Sequence, residues 1–559
     1  MAENDDFYFD LNFLKALFHL LRHFFPCNDW KAFFIVLMTL SLGITNEIAV
    51  YYIGMLPGQF FYVLLKSKTE EFWRIIMTAS LIYLGKSIIV ALVSLSTSLL
   101  YLTFRKNITN AIHKRYFNEM TPFKLIHKIT EKIDNPDQRI TQDIERMCKN
   151  LAEKIIQPLL LCPLLMTYYS YRTYMTTGLY GCLVIYIYFI VGTIVNKLLI
   201  NPLTKYTARV ERAEGNYRYK HVSIRDNCEQ IALYRGQKFE RYEVDRIFNK
   251  LLKIQFIHCL WQLPNLVWKN FFDNTGGILA YALQFIPFFL LQSYSNFEPE
   301  FLAKVISNNA FIFLYLINCF TRLTDCAIIF GDTAGILQRV EELLVVCKNM
   351  KDNEYINIKQ IEKNDDTAYV FKDVSLSTQY GQPVLKNFSF ELKNDMNLLI
   401  KGVSGTGKTS FLRMLVGVWR NSYGDIYSRY NENDIAIIPQ NSYLPSDNTA
   451  KFIPSNYIHE KPEFEFINHL TPGEVQRLVF IRAVIKNPRL LILDESTNAV
   501  GVAMEKKMYE ILKSKGIQYI SVGHRDSLEQ YHDIALTLTG HGDFDLNVIN
   551  KNSRDFFNM

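Results

Sequence analysis

Apolar and polar positions divide this chain into two regimes. Up to residue 330 the apolar positions gather into six long segments, about 32–54, 74–101, 155–175, 178–200, 270–292 and 305–330. Each holds at least twenty residues, and a helix of that length rises about 30 Å, the thickness of a bilayer's hydrocarbon core. Polar interruptions such as Asn46-Glu47 and Asp273-Asn274 weaken single segments, yet six together predict membrane spans rather than buried soluble helices. A helical pattern then runs on to about Cys347, and the charged stretch Lys348 to Asp366 reads as a linker. From Thr367 short apolar strands alternate with turns such as Tyr380-Gly381-Gln382-Pro383, the pattern of an α/β domain of about 190 residues. The predicted organisation is an N-terminal amphipathic segment (1–30), a six-span membrane domain (31–347), a linker (348–366) and an α/β domain (367–559).

Ahead of the first span, Leu11 to Phe25 puts Asn12, Lys15, His19, Arg22 and His23 on one stripe among leucines and phenylalanines, and Pro26 stops the helix. Two readings stand: a helix lying on the membrane surface, or an extra core helix. Charge gives the orientation. Residues 102–154 carry 11 Lys/Arg against 7 Asp/Glu, whereas the loop 293–304 holds Glu298 and Glu300 against one lysine. Excess Lys/Arg marks the cytoplasmic side, so both termini and the α/β domain are expected in the cytosol. The net charge of +6 fits that topology, and no clustered basic and aromatic pattern argues for nucleic acid. The nine cysteines form no CxxC pair and read as small buried residues. The N-terminus lacks the basic region and cleavage site of a signal peptide, and the C-terminus is not a Ser-Lys-Leu signal. Glu47 and Asp273 are intramembrane carboxylates, either functional or engaged in helix–helix hydrogen bonds.

Chemistry enters at Gly402, Val403, Ser404, Gly405, Thr406, Gly407, Lys408 and Thr409, a full match to the P-loop pattern. It follows the apolar run Leu398 to Ile400 and precedes a helix-like segment, Phe411 to Trp419. Backbone N–H groups of such a loop close around phosphates, Lys408 adds a point charge and Thr409 offers a hydroxyl to Mg²⁺. A nucleoside triphosphate is the expected ligand. Leu490 to Leu493 is an apolar strand ending in Asp494 and Glu495, and Asp494 lies 86 residues after Lys408. Asp494 suits Mg²⁺, and Glu495 suits polarising the attacking water. Gln440, after the strand Ile435 to Ile438, is placed to touch Mg²⁺ and that water. His524, ending another strand, is placed to meet the γ-phosphate.

Leu470-Thr471-Pro472-Gly473-Glu474 lies 20 residues before the Leu490 strand and opens a helix. It resembles the signature loop of ATP-binding cassette proteins, which implies that Thr471 and Gly473 contact a nucleotide held by an opposite subunit. Against the family's Leu-Ser-Gly-Gly-Gln, Pro472 removes a backbone donor and Glu474 adds a carboxylate, and both are expected to weaken that contact. The stretches Ile133 to Asp143 and Asn227 to Gly236 resemble the two cytosolic signatures of the subfamily D half-transporters. Gly192 to Lys197, Glu214 to His221 and Gly405 to Ser410 point within it to the lysosomal, cobalamin-carrying branch. Ser410 is thereby included in the nucleotide loop, and Tyr380 becomes a candidate for stacking on adenine.

The resemblance implies a multi-span α-helical membrane domain of exporter type followed by an α/β P-loop ATP-binding cassette. It implies an ATP-driven pump with Mg²⁺, working as a homodimer or as a heterodimer with another half-transporter, in an organelle membrane, with a membrane chaperone as a further partner. Cobalamin is the indicated cargo, fatty acyl-CoA in peroxisomes the alternative. Departures from the family favour a third reading, an ATP-binding membrane scaffold with little turnover. Only 29 residues separate Gln440 from Leu470, about half the usual helical subdomain, and Gly501 stands where an acid is common.

Overall fold

The computed structural model describes residues 11–26, 30–118, 121–127, 133, 135–290, 294, 297–352, 358–361, 366–377, 381–419, 423–441, 470–498 and 500–549. The chain forms two compact units, one from residues 1–122 and 133–348, the other from 123–132 and 349–559.

The first unit is helical. Its elements are α1 (Leu11–Phe24), α2 (Lys31–Leu65), α3 (Thr69–Tyr116), α4 (Thr121–His127, shared with the second unit), α5 (Ile156–Asp226), α6 (Cys228–Leu233), α7 (Gln237–Ala282) and α8 (Pro299–Asp352). Four helices among the described residues are long and apolar enough to cross a membrane: Lys31–Leu65, Thr69–Tyr116, Pro136–Asp226 and Pro299–Asn349. The third is not straight. Gly178 has φ +66° and ψ −161°, a conformation open to glycine. The chain folds back there, so that the Ser170 and Tyr186 hydroxyls meet at 3.0 Å. One long apolar helix thus consists of two antiparallel legs. α7 carries Lys269 and Asp273 in its apolar half and is followed by a π-turn at Ile286–Leu290.

A buried cluster built on Tyr169, Ile185, Phe313, Leu316 and Phe320 joins both legs of α5 to α8. Glu47 on α2 accepts hydrogen bonds from the Tyr315 hydroxyl and from Arg322 Nη1 at 3.0 Å, both on α8. Of the two readings of Glu47, the structure gives it a helix–helix bond. The N-terminal helix α1 packs in part against protein. Leu20 and Phe24 of α1 are fully buried, Phe24 lies 4.8 Å from the Phe104 ring of α3, and His19 meets Glu341 of α8 at 3.1 Å. Leu20 and Phe24 thus pack against protein as in a core helix, whereas Phe18 is 70% exposed, as on a surface-lying one.

The second unit is the α/β domain. Its strands are β1 (Lys359–Gln360), β2 (Thr367–Ser377), β3 (Pro383–Lys393), β4 (Leu398–Gly402), β5 (Tyr423–Ser428), β6 (Ile435–Ile438), β7 (Leu490–Asp494), β8 (Gln518–Val522), β9 (Ile534–Leu538) and β10 (Phe544–Val548). Its helices are α9 (Lys408–Leu415), α10 (Pro472–Ile485) and α11 (Val502–Ser514). A four-stranded sheet runs β1-β5-β2-β3, and a six-stranded sheet runs β10-β9-β4-β8-β7-β6. In the larger sheet every neighbour pair is parallel except β9 with β10. β7 and β8 are buried at every position, as continuous apolar strands covered on both faces should be.

Candidate functional site

Parallel pairing decides where the site lies. The P-loop leaves the carboxyl end of β4, Gln440 follows β6, Asp494 and Glu495 end β7, and His524 follows β8. Because β4, β8, β7 and β6 are consecutive neighbours pointing the same way, these ends gather along one edge of the sheet, where open α/β sheets bind ligands.

Gly402, Val403, Ser404, Gly405 and Thr406 form the loop, Gly407 caps α9, and Lys408, Thr409 and Ser410 form its first turn. Gly407 has φ +94°, and a Cβ there would stand 2.4 Å from Val384 Cγ1. The Lys408 ammonium donates to the carbonyl oxygens of Gly402 (2.9 Å) and Val403 (3.0 Å). Burial lowers its pKa, with Glu495 and Asp494 pulling the other way. Thr409 Oγ1 lies 3.4 Å from Asp494 Oδ1. Burial raises the Asp494 pKa, against the Thr409 hydrogen bond.

Glu495 is the centre of the constellation. Its φ of +46° is left-handed, costly for a non-glycine residue and found where surrounding structure over-determines it. A bond from its N–H to Val522 O (3.1 Å) fixes it to β8. Its carboxylate meets Gln440 Nε2 at 3.1 Å, His524 Nε2 at 3.2 Å and Asn498 Nδ2 at 3.0 Å. Sequence reasoning singled out Gln440 and His524 but missed Asn498, whose signal was its place three residues after Glu495. It also missed Arg525, which donates to Val500 O (3.3 Å), Asn498 O (3.2 Å) and Glu505 Oε2 (3.1 Å) and so clamps the turn behind Glu495. Thr409 and Asp494 offer hydroxyl and carboxylate oxygens, the hard donors that suit Mg²⁺ when phosphates complete its shell.

The signature loop departs from expectation. Thr471 caps α10, with Pro472 at the first helical position, where its missing N–H costs no helical bond. The Glu474 carboxylate is bound back: Thr471 N (2.9 Å) and Thr471 Oγ1 (2.8 Å) both donate to Oε2. Those bonds, the backbone one first, hold its pKa below the usual carboxylate range. Glu474 therefore closes a capping box and occupies both the N–H and the hydroxyl donor of Thr471. Gly473 O accepts from Arg477 Nε at 3.3 Å. Tyr380 and residues 442–469, the short subdomain, lie outside the described residues.

The two stretches that resemble subfamily D signatures differ in character. Arg139 is buried and donates to Arg339 O (2.9 Å) and Glu342 Oε2 (2.7 Å), tying its π-turn to α8. α6, in the second stretch, has no buried residue; Leu233 and the following Tyr234 are 75% and 86% exposed.

Comparison with known proteins agrees with this architecture. Residues 20–289 match the family "ABC transporter transmembrane region 2", and residues 385–498 match "ABC transporter". A bacterial Atm1-family ABC exporter with ATP bound superposes with a TM-score of 0.71 at 15% identity, covering 94% of this chain and 97% of that one. That likeness shows the exporter fold. The human protein named lysosomal cobalamin transporter ABCD4 is 31% identical over 96% of both chains, and its mouse counterpart 30% over 97% of both. ABC transporter D family member 3 of Dictyostelium discoideum is 24% identical over 84% of this chain and 80% of its own. With likeness of that extent through both units, the chain belongs to the subfamily D ABC half-transporters and is an integral membrane, ATP-hydrolysing transporter.

Proposed function

We propose that the chain is one half of a dimeric pump that carries a cobalamin-type cargo across a lysosomal membrane. The observation that carries the ATP-driven part is the gathering of Thr409, Asp494, Glu495, Gln440 and His524 at one sheet edge. The cargo and organelle rest on the human and mouse relatives. Six crossings follow if both legs of α5 and the apolar end of α7 each span the bilayer.

Within a site, Lys408 exchanges the Gly402 and Val403 carbonyls for phosphate oxygens. Thr409, Asp494 and the Gln440 amide oxygen would hold Mg²⁺, which would spread the charge developing on the transferred phosphoryl group. Glu495 accepts the proton of the attacking water, and His524, already on Glu495, meets the γ-phosphate. Thr471 and Gly473 serve the nucleotide of the opposite subunit. One cassette cannot supply both faces of a site, and twofold pairing with a second copy or another half-transporter solves this. A membrane chaperone is a further partner on this reading.

Glu495→Gln tests the assignment in lipid nanodiscs. Vanadate-sensitive hydrolysis should fall about 100-fold or more while ATP binding persists; unchanged turnover would refute the role of Glu495. A second reading, an ATP-binding scaffold with little turnover, is favoured by the bound-back Glu474, and wild-type protein without measurable hydrolysis would establish it. Stimulation of hydrolysis by cobalamin supports the cargo, whereas stimulation by long-chain acyl-CoA alone replaces it.

A further inference from the structure

The membrane unit holds a cavity of about 240 Å³ between the second leg of α5, α7 and α8. That is smaller than the ~300–1,000 Å³ of sites for drug-sized ligands, so it fits one ring or branched apolar group with one polar head. It lies within a single subunit and does not depend on the cargo proposed above.

Its walls specify the head. Trp268, Phe272 and Phe189 provide apolar surface. Two polar atoms in the lining, Asn265 Oδ1 and Thr193 Oγ1, are buried without a hydrogen-bond partner, and the asparagine oxygen can only accept. A buried acceptor left unmatched is costly, and a ligand N–H would relieve it. The charges agree. Lys269 and Asp325 pair at 3.2 Å and offset one another, which leaves Asp273 as excess negative charge at the cavity. Acceptors, a surplus carboxylate and aromatic faces together match an ammonium group on an apolar body. A carboxylate or phosphate ligand would meet repulsion from Asp273.

We propose that this cavity binds a small amphipathic organic ammonium compound, with the charged nitrogen toward Asp273 and Asn265 and the apolar body against Trp268 and Phe272.

The test is equilibrium binding of radiolabelled phenethylamine to the full chain in nanodiscs, corrected for empty discs. 2-Phenylethanol, which has the same body without the charge, serves as competitor. Saturable binding is expected, with the alcohol at least tenfold weaker. Asp273→Asn should lower amine affinity at least tenfold and bring amine and alcohol level. Thr193→Val, should Asp273→Asn fail to fold, is expected to weaken the amine about threefold. No saturable binding, equal affinity for amine and alcohol in the wild type, or amine binding unchanged by the folded variants would overturn the proposal. ATP hydrolysis by the same preparation reports separately on the pump, so the two readings fail independently.

Discussion

Single residues set the two sharpest constraints in the cassette. Gly407 combines φ +94° with a Cβ position 2.4 Å from Val384, so Gly407→Ala must shift the start of α9. ATP binding by this variant, measured with a fluorescent nucleotide, should weaken about tenfold or more. His532 carries a different message. Its ring is buried, Nδ1–H donates to Leu528 O at 2.7 Å, and burial pulls its pKa down to about 4. The folded cassette keeps this histidine neutral, while the unfolded chain takes up a proton near pH 6.5. Stability is therefore whole above about pH 6.5 and drains away as pH falls toward 4, by on the order of 3 kcal/mol at most. Protection of the β8 and β9 amides, measured against their intrinsic exchange rates at each pH, should fall over that window. His532→Phe, which removes the titrating group among Tyr509 and Tyr519, should flatten the dependence, and an undiminished pH slope would contradict the assignment.

At the scale of elements, α10 shows a cap competing with a binding function. Glu474 both closes the helix's N-terminal cap and holds the Thr471 donors. Glu474→Gln keeps the shape but removes the charge that would face phosphate, so nucleotide-driven hydrolysis should rise, by roughly threefold or more. A rate that falls instead would mean that the cap itself orders the loop. The capping box was legible: Thr471-Pro-Gly-Glu474 fits the S/T-x-x-E pattern that opens helices. Its consequence was not, because a sequence does not say which of two partners, carboxylate or phosphate, a hydroxyl serves. The same limit applies along the membrane helices. The runs at 155–175 and 178–200 were visible as apolar length, but their joining into one broken helix depends on a single glycine conformation at 178. Glu47 could be named as costly in the membrane, yet Tyr315 and Arg322 lie 268 and 275 residues away and only packing brings them to it.

For the whole molecule, an ATP-driven pump must couple its nucleotide site to its membrane helices. α6 has no fully buried residue, and Leu233 and the following Tyr234 are exposed. Exposed apolar side chains on a short helix are suited to docking. Tyr234→Ala should leave basal ATP hydrolysis within about twofold of wild type and reduce cargo-stimulated hydrolysis about fivefold or more. Equal loss of both would assign Tyr234 to stability instead. This division of labour requires two linked states, which ATP can bias only by binding them with different affinity.

What the sequence determined by itself was the local chemistry and the class. The P-loop, the strand ending in Asp494 and Glu495, and the long apolar helices are written in contiguous residues, because phosphate cradles and membrane spans are built from neighbours along the chain. What only the tertiary structure decided was convergence: the register of four parallel strands that brings Gln440 and His524 onto one carboxylate, and the packing that pairs Glu47 with Arg322 while leaving Asn265 and Thr193 unmatched. These contacts join residues far apart in sequence, and the folding of intervening chain, rather than any local pattern, sets their distances.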